Sequence, residues 1–241
     1  MKRVLIIGSH SYLGTALASY LSQWPEEYHA ESLSVRDEAW KNVSFQGFDA
    51  VYHTAALVHQ EQAKSDPAQK EAYLQINSQL PVEVAKKAKE AGVPQFIFLS
   101  TMAVYGLTAP FGKTVTVTKD TPLAPKDLYG LSKAQAEEDL LALADSAFHV
   151  AILRPPMICG QGCKGNYQQL RHFALRLPCF PKIGNHRSVL YVGNLNRLVR
   201  HLLDTGSGGI YCPQDREQVD TDRMVQTVAR LHGRSLPLIA A

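Results

Sequence analysis

The sequence predicts an α/β protein built on a doubly wound parallel sheet with a small C-terminal part. Three observations carry the prediction. Short runs of strand length, most of them rich in apolar residues, recur at 4–7, 29–35, 49–56, 95–100 and 148–153. Segments with helical patterning separate most of them, at 12–21, 66–92 and 129–143. The first run stops at Gly8, and a glycine-containing turn leads straight into a helix. Strands alternating with helices imply a parallel sheet covered on both faces. Continuous apolar runs mark strands with no solvent face.

Size and composition narrow the classes. A chain of 241 residues suits one large domain, or one with a small appendage. Hydrophobic residues make up 45% and charged residues 20%, as in soluble globular chains. A formal net charge of +3 with no basic run argues against a nucleic-acid partner. No apolar stretch approaches ~18 residues, so no membrane span is expected. The run at 4–7 is too short for a signal peptide. The cysteines at 159, 163, 179 and 212 lack metal-site spacing, so no metal is expected. Free thiols in a reducing cytoplasm are the expected state.

In chain order, the strand at 4–7 is followed by Gly8-Ser-His-Ser11-Tyr12-Leu13-Gly14 and a helix. Strand, glycine turn and helix open a Rossmann-type dinucleotide-binding unit, in which backbone amides at the helix start hold a pyrophosphate. Ser11 stands where a middle glycine often sits, and its hydroxyl can reach a phosphate. The plainer reading is a left-handed turn between strand and helix. The second strand ends Ser34-Val35-Arg36-Asp37. The acid that binds a ribose 2′-OH is missing from its usual place. Arg36 is either a contact for a 2′-phosphate or a solvated surface arginine. Residues 37–48 are too few for a further helix and strand, so the first half reads as trimmed.

The run at 49–56 ends in Thr54, Ala55 and Ala56, small residues that let a ring or ribose lie close. His53 reads as a packed strand residue. A helix begins at Asp66-Pro67, the expected cap and first position, and runs to Gly92 with a break at Pro81. Asn77 reads as a polar residue satisfied within it. The strand at 95–100 leads into Ser100-Thr101, which places hydroxyls at the same strand-end edge as the glycine turn. Residues 108–125 read as loop. The helix from 129 opens with Tyr129-Gly-Leu-Ser-Lys133, and the run at 148–153 ends in Arg154-Pro155-Pro156. Beyond it, glycines 160, 162 and 165 mark loop. Helices follow at 168–177, 193–204 and 221–233, with strands at 185–192 and 209–212.

Tyr129 and Lys133 lie four residues apart, on one helical face. A tyrosine hydroxyl, with a reference pKa of about 10, is a poor base, and a neighbouring ammonium favours the phenolate. A fall of about 3 pH units needs roughly 4 kcal/mol. One lysine and a cationic ring nearby are expected to supply it, making the pair a candidate acid/base unit. The alternative is an ordinary exposed helix start.

Taken in order, GSHSYLG, DAVYHTAA, STMAVYG, YGLSK, LRPP and NHRSVLYVGNL resemble the extended short-chain dehydrogenases/reductases of the NAD-dependent epimerase/dehydratase family, in the group acting on nucleoside-diphosphate sugars. The resemblance covers nearly the whole chain. It implies a dinucleotide-binding domain over 1–156 and a shortened substrate-binding part over 157–241, interleaved in space. It implies Tyr129 as catalytic base, Lys133 as its partner and ribose ligand, and Thr101 as the hydroxyl that bonds the reacting sugar oxygen. Gly8, Ser11, Tyr12, Leu13 and Gly14 fall on the pyrophosphate loop. Ala55, Ala56, Ser100, Pro155 and Pro156 line the cofactor, with Arg36 beside them. Asn166 and Arg187 match substrate contacts, and a guanidinium suits a diphosphate. The cofactor implied is NAD or NADP, with Arg36 tilting toward NADP. Pairing into a homodimer through the helices at 68–91 and 129–144 is also implied.

The same comparison implies which reaction. A 4,6-dehydratase resembles STDEVYG at the active-site strand, but Met102 and Ala103 hold the two acidic places here, and neither transfers a proton. That leaves 4-epimerisation by transient oxidation, with NADPH-dependent reduction of a nucleotide 4-keto sugar as the alternative. A non-enzymatic dinucleotide sensor ranks last, because the Tyr129/Lys133 pair is intact.

Overall fold

The computed structural model describes residues 1–58, 67–107, 115–163 and 165–240. The chain runs through β1 (Lys2–Ile7), α1 (Tyr12–Leu21), β2 (Tyr28–Leu33), β3 (Ala50–His53), α2 (Pro67–Leu74), α3 (Leu80–Glu90), β4 (Gln95–Leu99), α4 (Leu128–Leu141) and β5 (His149–Leu153). It continues through β6 (Met157–Cys159), α5 (Asn166–Arg176), β7 (Phe180–Pro181), β8 (His186–Arg187), β9 (Val189–Tyr191), α6 (Val192–Thr205), β10 (Gly209–Tyr211), β11 (Val219–Asp220), α7 (Thr221–Leu231) and β12 (Leu238–Ile239).

Six strands form one sheet in the order β10-β5-β4-β3-β1-β2, every neighbouring pair parallel. This is the expected doubly wound, Rossmann-type arrangement. Successive strand residues face opposite layers, and both layers are apolar. Leu5, Ile7, Val51, Phe96, Phe98, Val150 and Ile152 pack with Val84, Ala85 and Ala88 of α3 and Ala136 and Leu140 of α4. Val4, Ile6, Ala50, Tyr52, Ile97, Ala151 and Leu153 pack with Leu17 and Leu21 of α1 and Leu195, Val199, Leu202 and Leu203 of α6. Double coverage is why the strands read as continuous apolar runs. Each fully buried Val, Leu, Ile or Phe contributes roughly 1.5–3 kcal/mol.

Between β2 and β3 there is only a 3₁₀ turn, Glu38–Asn42, capped by Asp37, whose carboxylate accepts from Ala39 N at 3.0 Å. The sheet therefore carries a single strand beyond β1, as the short 37–48 segment predicted. The break expected at Pro81 lies one turn earlier, as a π-helical turn at Gln75–Gln79. Proline has no N–H to give the carbonyl four residues back, Asn77, so the ladder widens just before it. The expected cap Asp66 lies outside the described residues, as do 108–114 of the long loop.

After β5 the chain leaves the sheet and returns. Met157–Cys159 pairs with Val189–Tyr191, α6 packs on α1, and Gly209–Tyr211 adds the sixth strand beside β5. A third, smaller core joins Leu170 and Ala174 of α5 to Val225, Val228 and Ala229 of α7, with Phe180 and Leu236. This small layer faces the C-terminal strand ends across a cleft.

Candidate active site

A cleft of about 2000 Å³ runs along the C-terminal ends of β1, β3, β4 and β5. Open α/β sheets bind ligands at this edge because loops of opposite direction part there. Fourteen of the residues expected to form the site line this one cleft: Gly8, Ser11, Tyr12, Leu13, Arg36, Ala55, Ala56, Ser100, Thr101, Tyr129, Lys133, Pro155, Pro156 and Arg187. Gly14 does not line it. A Cβ there would sit 2.9 Å from Ile6 Cγ2, so Gly14 serves the close packing of α1 on β1. Asn166 opens α5, but its side chain is outside what is described, as is Lys164.

At one end of the cleft, Gly8 turns the chain at φ +108, and Ser11 N donates to Gly8 O at 2.8 Å. Ser11 caps α1, its hydroxyl accepting from Gly14 N at 3.4 Å. The expected phosphate contact of that oxygen is therefore partly diverted, because the helix needs its orphan amide satisfied. Thr54 Oγ1 donates to Ile7 O at 2.9 Å and turns the small pair Ala55-Ala56 along the cleft floor. Arg36 stands exposed beyond the end of β2, at the same end of the cleft.

At the other end lies the reacting group. Asp127 caps α4 by accepting from Gly130 N at 2.7 Å, which starts the helix one residue before Tyr129. Lys133 is only 1% exposed. Its ammonium donates to Leu99 O at 2.9 Å and lies 4.3 Å from the Phe98 ring centroid. This excludes an ordinary exposed helix start. Burial pushes Lys133 down to about 7, with Glu137 acting in the opposite sense. Tyr129 departs from expectation. Burial, then Asp127 and Tyr73, push its hydroxyl up to about 12 rather than down toward 7. The physical reason is that desolvation penalises the phenolate, while the Lys133 ammonium is directed to a backbone carbonyl.

Thr101 caps the short helix Met102–Tyr105, its hydroxyl accepting from Ala103 N at 3.1 Å and still holding a donor for the cleft. Ser100 lines the cleft as expected, and its hydroxyl donates to Glu137 Oε1 inside the protein. Pro155 O accepts from Met102 N at 3.0 Å, which fixes the proline pair against the Thr101 turn. Arg187, on β8 of the small layer, is exposed, and among the described residues no carboxylate pairs with it.

The donor set fits a nicotinamide dinucleotide. A glycine turn meets a helix N-terminus at one end. At the other, the Lys133 ammonium spends one of its three N–H groups on Leu99 O, leaving donors for ribose hydroxyls.

Sequence reasoning missed two supports. Asn77 is fully buried, and its amide clamps both backbone groups of Leu57, at 2.8 and 3.0 Å, and reaches Ser132 Oγ at 3.3 Å. It holds the loop after Ala55-Ala56 against α4. Its polarity inside a helical pattern was the available signal. The second is a buried pair, Glu137 and Arg154, joined by a forked bond with Nε 3.0 Å from Oε2. Its signal was Glu137 one turn after Lys133. His53 is buried as expected, packed on Phe96 and Phe98, and burial holds it neutral, down at about 3.

Comparison with known proteins agrees with this geometry. The model of the NAD dependent epimerase/dehydratase family matches residues 4–204. A UDP-glucose 4-epimerase of Vibrio cholerae is 30% identical over 252 residues, covering 95% of this chain and 75% of that protein. An N-acetyl-alpha-D-glucosaminyl-diphospho-ditrans,octacis-undecaprenol 4-epimerase of Escherichia coli O157:H7 is 28% identical over 97% of this chain and 73% of its own length. Among solved structures, a UDP-glucuronic acid 4-epimerase from Bacillus cereus in complex with NAD superposes with a TM-score of 0.80 or better, at 0.82, over 99% of this chain and 87% of its own, at 18% identity. With its parallel sheet, glycine turn and Tyr129/Lys133 helix at one cleft, the chain belongs to the NAD-dependent epimerase/dehydratase family and is an NAD(P)-dependent enzyme of it.

Proposed function

We propose that this enzyme interconverts nucleoside-diphosphate sugars epimeric at C4. The observation that carries the reading is the composition of the reacting end of the cleft: Tyr129, Lys133 and the Thr101 hydroxyl converge there, with Met102 and Ala103 beside them. That set moves one proton and holds one oxygen. Asp127 also lines this end but caps α4 by accepting from Gly130 N, and Met102 and Ala103 supply no second acid for eliminating water. When bound, an oxidised nicotinamide accepts the hydride, and its positive charge acts in the direction that lowers the Tyr129 pKa. The Tyr129 oxygen takes the proton of the sugar hydroxyl. Thr101 donates to the same sugar oxygen, and the Lys133 ammonium stabilises the charge that develops at Tyr129. After the keto sugar turns over, Tyr129 returns its proton as the hydride comes back to the other face. Arg187 faces the cleft from the small layer and binds the substrate's diphosphate. Both curated relatives described above carry the name 4-epimerase.

Arg36 favours a second reading, NADPH-dependent reduction of a 4-keto sugar. A guanidinium in place of the ribose-binding acid suits a 2′-phosphate, and a reductase draws on NADPH. Free thiols and a nucleotide-sugar substrate support a cytoplasmic setting for either reaction; no described helix is long and apolar enough to cross a membrane. The test is incubation of the purified protein with UDP-hexoses and no added reductant, followed by separation of the epimers. Interconversion with no net change in nicotinamide absorbance is the expected result. Stoichiometric consumption of NADPH by a 4-keto sugar, with no interconversion, overturns it in favour of the reductase.

A further inference from the structure

The buried carboxylate of Glu137 has more partners near the reacting end of the cleft than a packing residue needs. It lies one turn beyond Lys133 on α4, on the same helical face, and is 1% exposed. Ser100 donates to its Oε1. Arg154 donates to its Oε2 from Nε at 3.0 Å and again from Nη2. The other arm of Arg154 donates to the Tyr105 hydroxyl at 2.7 Å. Each partner neighbours a cleft group along the chain. Ser100 precedes Thr101, Tyr105 closes the turn that Thr101 caps, and Arg154 precedes Pro155. A buried ion pair gains little over well-packed apolar residues, because desolvation offsets the Coulomb attraction. Stability alone is a weak reason for this pair to be here.

We infer that Glu137, braced by Arg154, is a positioning residue for the reaction: it ties the helix bearing Tyr129 and Lys133 to the strand ends bearing Thr101 and Pro155, and supplies the negative charge against which the Lys133 ammonium is held. The inference rests on the acid/base reading of Tyr129 and Lys133. Lys133 has Tyr129 and Glu137 one turn to either side of it on its own helix, His53 acting on it from β3, and the Phe98 ring and Leu99 carbonyl against it from β4. His53 is neutral and buried, so Glu137 is the anion among them. Glu137 also opposes the burial that drives Lys133 toward its neutral form. Removing that charge lets Lys133 lose its proton at lower pH.

The test uses the full chain with Glu137→Gln and Glu137→Asp. For Glu137→Gln, the alkaline limb of the pH profile of kcat is expected to move down by about one pH unit, the scale of a nearby buried charge, with kcat at pH 8 about 10-fold lower and KM within about 2-fold. Glu137→Asp keeps the charge and is expected to keep the limb of the wild type. A limb that stays in place in Glu137→Gln, with activity lost only in proportion to a lowered Tm, makes the residue structural and overturns the inference. If Glu137→Gln fails to fold, Arg154→Lys keeps both charges but loses the forked bond. It is expected to lower kcat several-fold with the limb unmoved, and an unchanged kcat overturns the inference. Titration of NADH and NADPH against pH separates this from the reaction itself. A wild type that binds dinucleotide but turns over no sugar sinks the proposed reaction, while a downward displacement of the binding limb in Glu137→Gln still upholds the role of Glu137, and its absence refutes it.

Discussion

Replacing Lys133 with methionine should stabilise the protein at neutral pH, and the gain should vanish as the pH rises. Lys133 is buried, and its ammonium is pushed from an ordinary 10.5 down to about 7. At about 1.36 kcal/mol per pKa unit, that gap corresponds to roughly 5 kcal/mol by which burial disfavours the charged form. The folded pKa lies below the unfolded one. Between about pH 7 and 10.5 the unfolded chain therefore binds a proton that the folded chain does not, and stability rises with pH through that window. Below about pH 7 both states are protonated and the penalty is at its full size. Methionine matches the length of the lysine stem and carries no charge. Against its gain stands the carbonyl of Leu99, which loses its donor at a cost of about 1 kcal/mol, and the Phe98 contact, worth up to ~1 kcal/mol. The net expectation is about 2–4 kcal/mol of stabilisation at pH 7 with activity abolished. The titration of Lys133 sets the pH dependence, so the difference between the two proteins should shrink by roughly 4 kcal/mol on going to pH 10.5. Urea unfolding of both proteins at pH 7, 8, 9 and 10 measures this, and subtracting one curve from the other removes the titration of every other group. Parallel stability curves across that range would refute the claim that Lys133 sits in the fold at an electrostatic cost.

Three further outcomes follow from the cleft. Tyr129→Phe removes the hydroxyl and keeps the ring, so kcat should fall at least ~10²-fold while dinucleotide affinity, read by nicotinamide fluorescence, stays within a few-fold; unchanged turnover would end the acid/base assignment. Arg36→Ala should erase a preference of the wild type for NADP(H) over NAD(H) in paired titrations, and a wild type that binds NAD(H) more tightly contradicts it. Arg187→Ala should weaken UDP binding about 10-fold in calorimetry without changing dinucleotide affinity, and equal UDP affinity would make Arg187 an ordinary surface arginine.

Much of the fold was legible in the sequence because a strand covered on both faces must be apolar throughout. The runs at 4–7, 95–100 and 148–153 fall on β1, β4 and β5 within a residue or two, and Gly8 turns where the first run stops. The short 37–48 segment likewise announced a sheet with one strand beyond β1, since chain length bounds what a segment can build. The cleft residues were legible because a parallel sheet gathers its strand ends at one edge, and Gly8, Ala55, Thr101 and Pro155 all follow such ends.

What the tertiary structure decided is the state of those residues, which depends on neighbours far along the chain. The spacing of Tyr129 and Lys133 put them on one face, but only packing showed that Lys133 is buried and bonded to Leu99 O, and that burial raises Tyr129 instead of lowering it. Ser100 and Thr101 are adjacent hydroxyls at a strand end. Adjacent strand residues point to opposite sides, so the Ser100 hydroxyl turned inward to Glu137 while Thr101 stayed at the cleft. Glu137 and Arg154 are 17 residues apart, and each alone reads as an ordinary surface charge. Local sequence fixes periodicity and turn chemistry over a few residues. Protonation, pairing and burial are set by contacts between segments that the fold alone brings together.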